Sequence, residues 1–223
     1  MRQLLLDIRP DTPPAFDNFI EGGNAAALVA LRAAVIGAGH VMLWGPRGSG
    51  RSHLLRAAIS EAGAAGRPAL HVEADSLDGR FLPAPSTLVA IDDIEGLCAD
   101  AQIALFNAFN RAFEQGLTLL LTAQRPPRKL DLREDLRTRI GQTLVFEIKS
   151  LDDQTRSHIL LTLAQRRGLS IGEDVVQFLL RHGRRDLPAL ISVLDALDQA
   201  SLEHKRPVTL PLLRELMQAG LDI

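Results

Sequence analysis

Nine consecutive residues, Gly45-Pro46-Arg47-Gly48-Ser49-Gly50-Arg51-Ser52-His53, carry the types and spacing of a phosphate-binding loop. A short apolar run, His40 to Trp44, precedes them, and Leu54-Leu55-Arg56-Ala57-Ala58-Ile59 follows with helical spacing. Strand, glycine-rich loop and helix is the context such a loop requires. Glycines let backbone N–H groups turn inward around a di- or triphosphate, and the helix N-terminus adds partial positive charge. Ser52 stands where a hydroxyl reaches a magnesium ion. Arg51 stands where the pattern G-x-x-x-x-G-K-[ST] has lysine. Arginine keeps the charge, but its planar fork is bulkier than a point-like ammonium. The expectation is nucleotide binding with slow hydrolysis; the bland alternative is a ligand-free strand-to-helix turn.

The second chemical stretch is Ser86-Thr87-Leu88-Val89-Ala90-Ile91-Asp92-Asp93-Ile94-Glu95, a buried-type apolar strand ending in two carboxylates. At a sheet's carboxyl edge, beside a phosphate loop, Asp92 is the expected magnesium partner, and Asp93 would help polarise an attacking water. Read alone, the pair could also be two solvated acids capping the next turn.

The elements that must hold these residues alternate. An alanine-rich helix is expected from Asn24, as its N-cap, to about Ile36. The helix after the loop should run to about Ala62, closed by Gly63 and Gly66. Strands are expected over Ala69–Glu73, Leu117–Thr122 and Thr143–Ile148, with a helix over Gln102–Glu114. From Asp152 the pattern is helical only: Asp152–Arg167, Gly172–His182, Asp186–His204 and Leu210–Ala219, with Asp152 and Asp186 as N-caps. Strands alternating with helices, then helices alone, predict a parallel α/β domain with a small helical appendage. The organisation expected is a tail over 1–14, a nucleotide-binding domain over 15–150 and a helical domain over 151–223.

The bulk numbers agree with a globular chain. It has 223 residues, 46% hydrophobic and 23% charged, with net charge −2, which gives no global argument for nucleic-acid binding. Cys98 is the only cysteine, so an intrachain disulfide framework and a cysteine-based zinc site are excluded. No apolar run reaches the roughly 18 residues of a membrane span, and the N-terminal apolar patch is too short for a signal peptide. A cytoplasmic protein is expected. The tail Gln3-Leu4-Leu5-Leu6-Asp7-Ile8, followed by Arg9-Pro10-Asp11-Thr12-Pro13-Pro14, reads as a strand packed on the body or as a docking peptide.

The order of these motifs resembles the AAA+ ATPases, and the local words resemble the DnaA branch. Those words are Phe16-Asp17-Asn18-Phe19 with Asn24, Gly48-Ser49-Gly50 leading to Ser52-His53-Leu54-Leu55, and Ile91-Asp92-Asp93-Ile94. Phe106-Asn107-Ala108-Phe109-Asn110, Leu121-Thr122-Ala123-Gln124-Arg125-Pro126-Pro127 and Arg137-Thr138-Arg139-Ile140-Gly141 fit the same branch. The resemblance covers roughly residues 15 to 220. It implies an AAA+ P-loop parallel sheet with flanking helices, plus a small all-helical lid domain.

It also implies roles. Gly45, Gly48, Ser49, Gly50, Arg51 and Ser52 would hold the phosphates of ADP or ATP, with Ser52 and Asp92 near Mg²⁺. Phe19 and Ile20 would flank the adenine, His53 at the end of the loop stretch belongs to the same cofactor-binding set, and Arg185 matches a lid arginine that senses phosphate. Arg139 matches an arginine finger, which would act on a nucleotide held by DnaA; Arg137 ranks second. Gln124 stands where DnaA carries an acid and cannot act as a base. With Arg51, that implies a weak intrinsic ATPase at most. Gln3, Leu4 and Leu6 resemble peptides that insert into the DNA polymerase III sliding clamp, with Ile8 as a possible helper. DnaA continues into a DNA-reading helix-turn-helix domain, which this sequence does not contain. The resemblance is therefore to DnaA relatives that promote hydrolysis of DnaA-bound ATP after the clamp is loaded. Self-association is expected, whereas sequence-specific DNA binding and membrane association are not. A helicase loader or other AAA+ motor, and an adaptor that binds DnaA without stimulating hydrolysis, are the competing readings.

Overall fold

The computed structural model describes residues 13–183, 187–204 and 206–221. The chain divides into two compact units. One contains the described residues up to Gly45 together with Arg51–Ile148; the other contains Pro46–Gly50 together with Lys149 onward.

Among the described residues, the first unit is built on five strands: β1 (Val41–Trp44), β2 (Ala69–Glu73), β3 (Leu88–Asp92), β4 (Thr118–Ala123) and β5 (Leu144–Glu147). All pairings are parallel, in the order β2-β3-β4-β1-β5. Parallel strands covered on both faces need unbroken apolar runs, and Leu-Val-Ala-Ile-Asp in β3 is buried throughout. Alternate residues feed two different cores. Leu88 and Ala90 join Leu43, Leu54, Leu55 and Leu120 beneath α1 (Ala25–Val35) and α2 (Arg51–Ala64). Val89 and Ile91 join Met42, Leu105, Leu119, Leu121, Leu136 and Ile140 beneath α3 (Ala99–Gln115) and α4 (Glu134–Gly141).

Two polar anchors hold the amino ends of the strands. The His40 Nδ1 accepts the Leu119 N–H at 3.0 Å. The Arg67 guanidinium donates to the carbonyls of Ala34, Val35, Ser86 and Gly116 and to the Thr118 hydroxyl. Those carbonyls lie at the end of α1 and at the entries to β3 and β4, so one side chain ties three elements.

The second unit is helical: α5 (Asp153–Arg166), α6 (Glu173–His182), α7 (Leu187–His204) and α8 (Leu210–Gln218). Its core contains Leu160, Val176, Leu179, Leu190, Leu194, Leu197 and Leu213. The Asp152 carboxylate caps α5 by accepting the Thr155 N–H at 2.6 Å, and that bond holds its pKa below the ordinary carboxylate value. Among the described residues, no helix is long and apolar enough to cross a membrane.

The expected elements shift in specific places. The helix over 99–115 starts three residues before Gln102, because Ala99-Asp100-Ala101 continues its apolar stripe with Ala101 buried. Gly63 lies inside α2, and Gly66, with φ of 74°, is the residue that leaves the helix. The Asn24 side chain makes no cap hydrogen bond to α1. The Asp186 cap lies outside the described residues.

Candidate functional site

The carboxyl ends of β1, β3 and β4 share one edge, since parallel strands in register finish together. Ile91 pairs with Leu121, which brings the following residues, Asp92 and Thr122, side by side. The Thr122 hydroxyl donates to Asp92 Oδ1 and accepts the Asp93 N–H, the latter at 2.8 Å. Asp92 is buried and acceptor-only when ionised, so this hydroxyl is its polar support within the sheet. Asp93 follows in the left-handed region, with φ of 49°. That turn takes its side chain out of the strand direction and toward α2.

Arg51 opens α2, is 5% exposed, and donates from Nη1 to Asp93 Oδ1 at 2.8 Å. The residue in the loop-lysine position is thus paired with the second acid of the β3 motif. Before Arg51, Gly48 and Gly50 have φ of 76° and 96°, conformations that only glycine adopts readily. The Gly45 N–H donates to the Ala123 carbonyl at 3.1 Å, tying the exits of β1 and β4. The Ser49 hydroxyl is buried and has no hydrogen-bond partner among the described residues. A buried orphan donor in a glycine loop fits an anionic phosphate group.

Other expected residues are partly assembled. The rings of Phe19 and His53 lie 5.9 Å apart, and His53 Nε2–H donates to the Ala15 carbonyl at 3.1 Å. The segment expected to flank a base is therefore fastened to the first turn of α2. Ser52 and Ile20 are half-buried. Asp92, His71 and Glu73 offer ligand atoms within 4.8 Å of one another, a donor set suited to a divalent cation. Glu95 Oε1 accepts the Gln124 N–H at 2.8 Å and that of Arg125 at 3.3 Å, which fixes the chain leaving β4.

Arg139 lies in α4 and is exposed, with its guanidinium carbon 5.9 Å from the Phe106 ring centre. Among the described residues, no carboxylate pairs with it. The nearby Asp135 is taken by Arg133, whose Nη2 lies 2.8 Å from it. That hydrogen bond lowers the Asp135 pKa and raises that of Arg133. Arg137 also carries no ion pair among the described residues. Gln3, Leu4, Leu6 and Arg185 lie outside the described residues.

Sequence reasoning missed Thr122, Glu95 and Phe106 as parts of the site. A hydroxyl near the carboxyl end of a largely apolar strand was the available signal for Thr122. Phe106 entered only as part of a family-like word, because aromatic residues at helical spacing usually read as core.

Residues 153–217 match a family described as the lid domain of Hda. Domain III of the Thermotoga maritima replication initiation protein DnaA is similar over 96% of this chain and all of that one, at 20% identity and a TM-score of 0.73. A replication initiator DnaA bound to AMPPCP and single-stranded DNA covers 93% of this chain and 69% of its own, at 22% identity and 0.70. AMPPCP-bound DnaA from Aquifex aeolicus covers 81% and 64%, at 24% identity and 0.65. The sheet order, the flanking helices and these likenesses give an AAA+ fold of the DnaA type. The chain thus has the fold of these DnaA domains, and its residues 153–217 match the lid-domain family of Hda.

Proposed function

We propose that this protein regulates replication initiation by stimulating hydrolysis of the ATP bound to DnaA, with Arg139 as the arginine supplied in trans. The observation that carries the reading is the state of Arg139: exposed, cationic and without a carboxylate partner among the described residues, at a segment resembling an arginine finger. An arginine aimed at a neighbour's transferring phosphoryl group stabilises the charge developing there, an effect of roughly 10³ to 10⁵ in rate in GTPases. An arginine neutralised by its own chain could not do this.

The protein's own nucleotide is largely structural in this reading. Gly45, Gly48, Ser49, Gly50, Arg51 and Ser52 would hold the phosphates of an adenine nucleotide, mainly ADP, with Phe19, Ile20 and His53 at the base and Arg185 on the lid. Ser52 and Asp92 would hold Mg²⁺, which neutralises phosphate charge when bound. Arg51 occupied by Asp93, and neutral Gln124 at the end of β4, both support weak intrinsic turnover. Gln3, Leu4 and Leu6 would dock on the sliding clamp and concentrate the protein at replicated DNA. Self-association would use the same AAA+ faces.

The test is ATP hydrolysis by DnaA with DNA-loaded clamp, adding the wild type or the Arg139→Ala variant. Stimulation by wild type that falls about tenfold or more in the variant supports the proposal. No stimulation despite clamp binding leaves an adaptor or loader and overturns it. Intrinsic turnover on the order of 1 s⁻¹ or more would contradict the structural role of the bound nucleotide.

A further inference from the structure

We infer that Phe106 is the positioning residue for Arg139: an aromatic platform that aims the guanidinium without neutralising it. The inference rests on the trans-acting role proposed for Arg139. The two side chains belong to different helices, α3 and α4, which are joined by a common core. Leu105 and Ala101 on α3 pack in one cluster with Leu136 and Ile140 on α4, and Phe106 packs against the same cluster. Ile140, the neighbour of Arg139, is fully buried, so the backbone carrying Arg139 is anchored one residue away. The Phe106 ring is half-buried and offers its face to the guanidinium carbon at 5.9 Å.

A long exposed arginine loses considerable rotamer freedom when it must meet a phosphate at one position. Two kinds of neighbour could restrict it beforehand. A carboxylate would do so through a salt bridge, but it would occupy the N–H donors and cancel the charge. An aromatic face attracts the cation through its quadrupole and leaves the in-plane N–H groups free. Arg139 has the second kind of neighbour, while the first kind, Asp135, is engaged by Arg133. Both arrangements keep the guanidinium charged, available and directed. Guanidinium stacks on aromatic faces better than ammonium does, so lysine at position 139 would lose the same support.

The experiment uses the full chain with Phe106→Leu, Phe106→Tyr and wild type, each confirmed folded by thermal melting. Two quantities are read: the NMR shifts of the Arg139 Hδ and Hε protons, and DnaA-bound ATP hydrolysis as a function of concentration. Phe106→Leu is expected to remove the ring-current shift and to lower the maximal stimulated rate about three- to tenfold. Its half-maximal concentration should stay within about twofold, because the docking surface is intact. Phe106→Tyr keeps a ring and should retain both signals. A Leu variant with wild-type maximal rate overturns the inference. So does a Tyr variant as impaired as Leu, or a loss expressed mainly in the half-maximal concentration. Unchanged Arg139 shifts in Phe106→Leu overturn it whatever the rates. If wild type itself fails to stimulate DnaA, the functional proposal fails, and the proton shifts alone decide whether Phe106 holds Arg139.

Discussion

Arg51 and Asp93 form an ion pair of 2.8 Å between one side chain that is 6% exposed and another that is 45% exposed. Arg51 sits where the phosphate-loop pattern has lysine, so the protein's own carboxylate holds the cation that the proposed nucleotide would engage. The pair has an asymmetric consequence. The buried guanidinium has Asp93 as its carboxylate partner, and the phosphates of the proposed nucleotide would compete with Asp93 for it.

Asp93→Ala is therefore expected to destabilise the nucleotide-free protein by about 1–3 kcal/mol, the usual cost of orphaning a buried polar group. The same change should strengthen ADP binding, since the competitor is gone. Thermal melts with and without ADP check both, because a ligand stabilises in proportion to its affinity. ADP should raise the melting temperature of the variant more than that of wild type. An equal rise would mean that Asp93 does not compete.

His40 sets a pH dependence. Burial lowers its imidazole pKa from 6.5, and its Nδ1 lone pair is committed to the Leu119 N–H. The ring also meets Phe109 edge-on, with centroids 5.5 Å apart. With the folded pKa below the unfolded one, the unfolded chain takes up more protons as pH falls through 6.5. The stability contributed by neutral His40 is present at higher pH and is lost on acidification. His40→Asn keeps an acceptor near the Nδ1 position but does not titrate. The urea midpoint of wild type is expected to fall relative to that of the variant as pH drops from about 7.5 to about 5.5. Parallel pH profiles would contradict this.

Arg67 is a structural tie that a surface reading would overlook. It bonds to carbonyls of α1 and of the segments entering β3 and β4, and to the Thr118 hydroxyl. Arg67→Met keeps the aliphatic stem and removes every donor. A loss of about 2–4 kcal/mol is expected, because several acceptors lose a charged partner together. Denaturant unfolding checks it, and a change below about 0.5 kcal/mol, the range of an ordinary surface substitution, would contradict it.

Gly183 tests the helical unit. A Cβ at this position would stand 2.6 Å from the Leu179 carbonyl oxygen, which the Gly183 N–H itself bonds at 2.8 Å. Gly183→Ala forces that turn open, at about 1–3 kcal/mol. Hydrogen exchange in α6 should speed up, while amides of β1, β3 and β4 keep their protection. Uniform acceleration in both units would show that the two unfold as one.

The sequence alone determined the parallel sheet, its order of elements and the chemical edge. Short uninterrupted apolar runs such as Leu88–Ile91 and Leu119–Leu121, bounded by turn and polar residues, suit strands covered on both faces, and Gly48 and Gly50 are local conformational demands. The Asp152 cap was legible for the same reason: it is a contact between residues three positions apart. Helix boundaries were less so, as with the start of α3, because burial of Ala101 against the sheet outweighs local preference.

Only the tertiary structure decided which charges are used up and which remain available. Asp93 meets Arg51 across 42 positions, Thr122 meets Asp92 across 30, and Arg67 reaches Thr118 across 51. Arg133 and Arg139 look alike in the chain, yet one is paired with Asp135 and the other rests near an aromatic face. Residue type and local spacing specify backbone conformation, since steric and periodic constraints act over a few residues. Which partner a charge meets depends on strand register and helix packing, and those bring together residues that are distant in the chain.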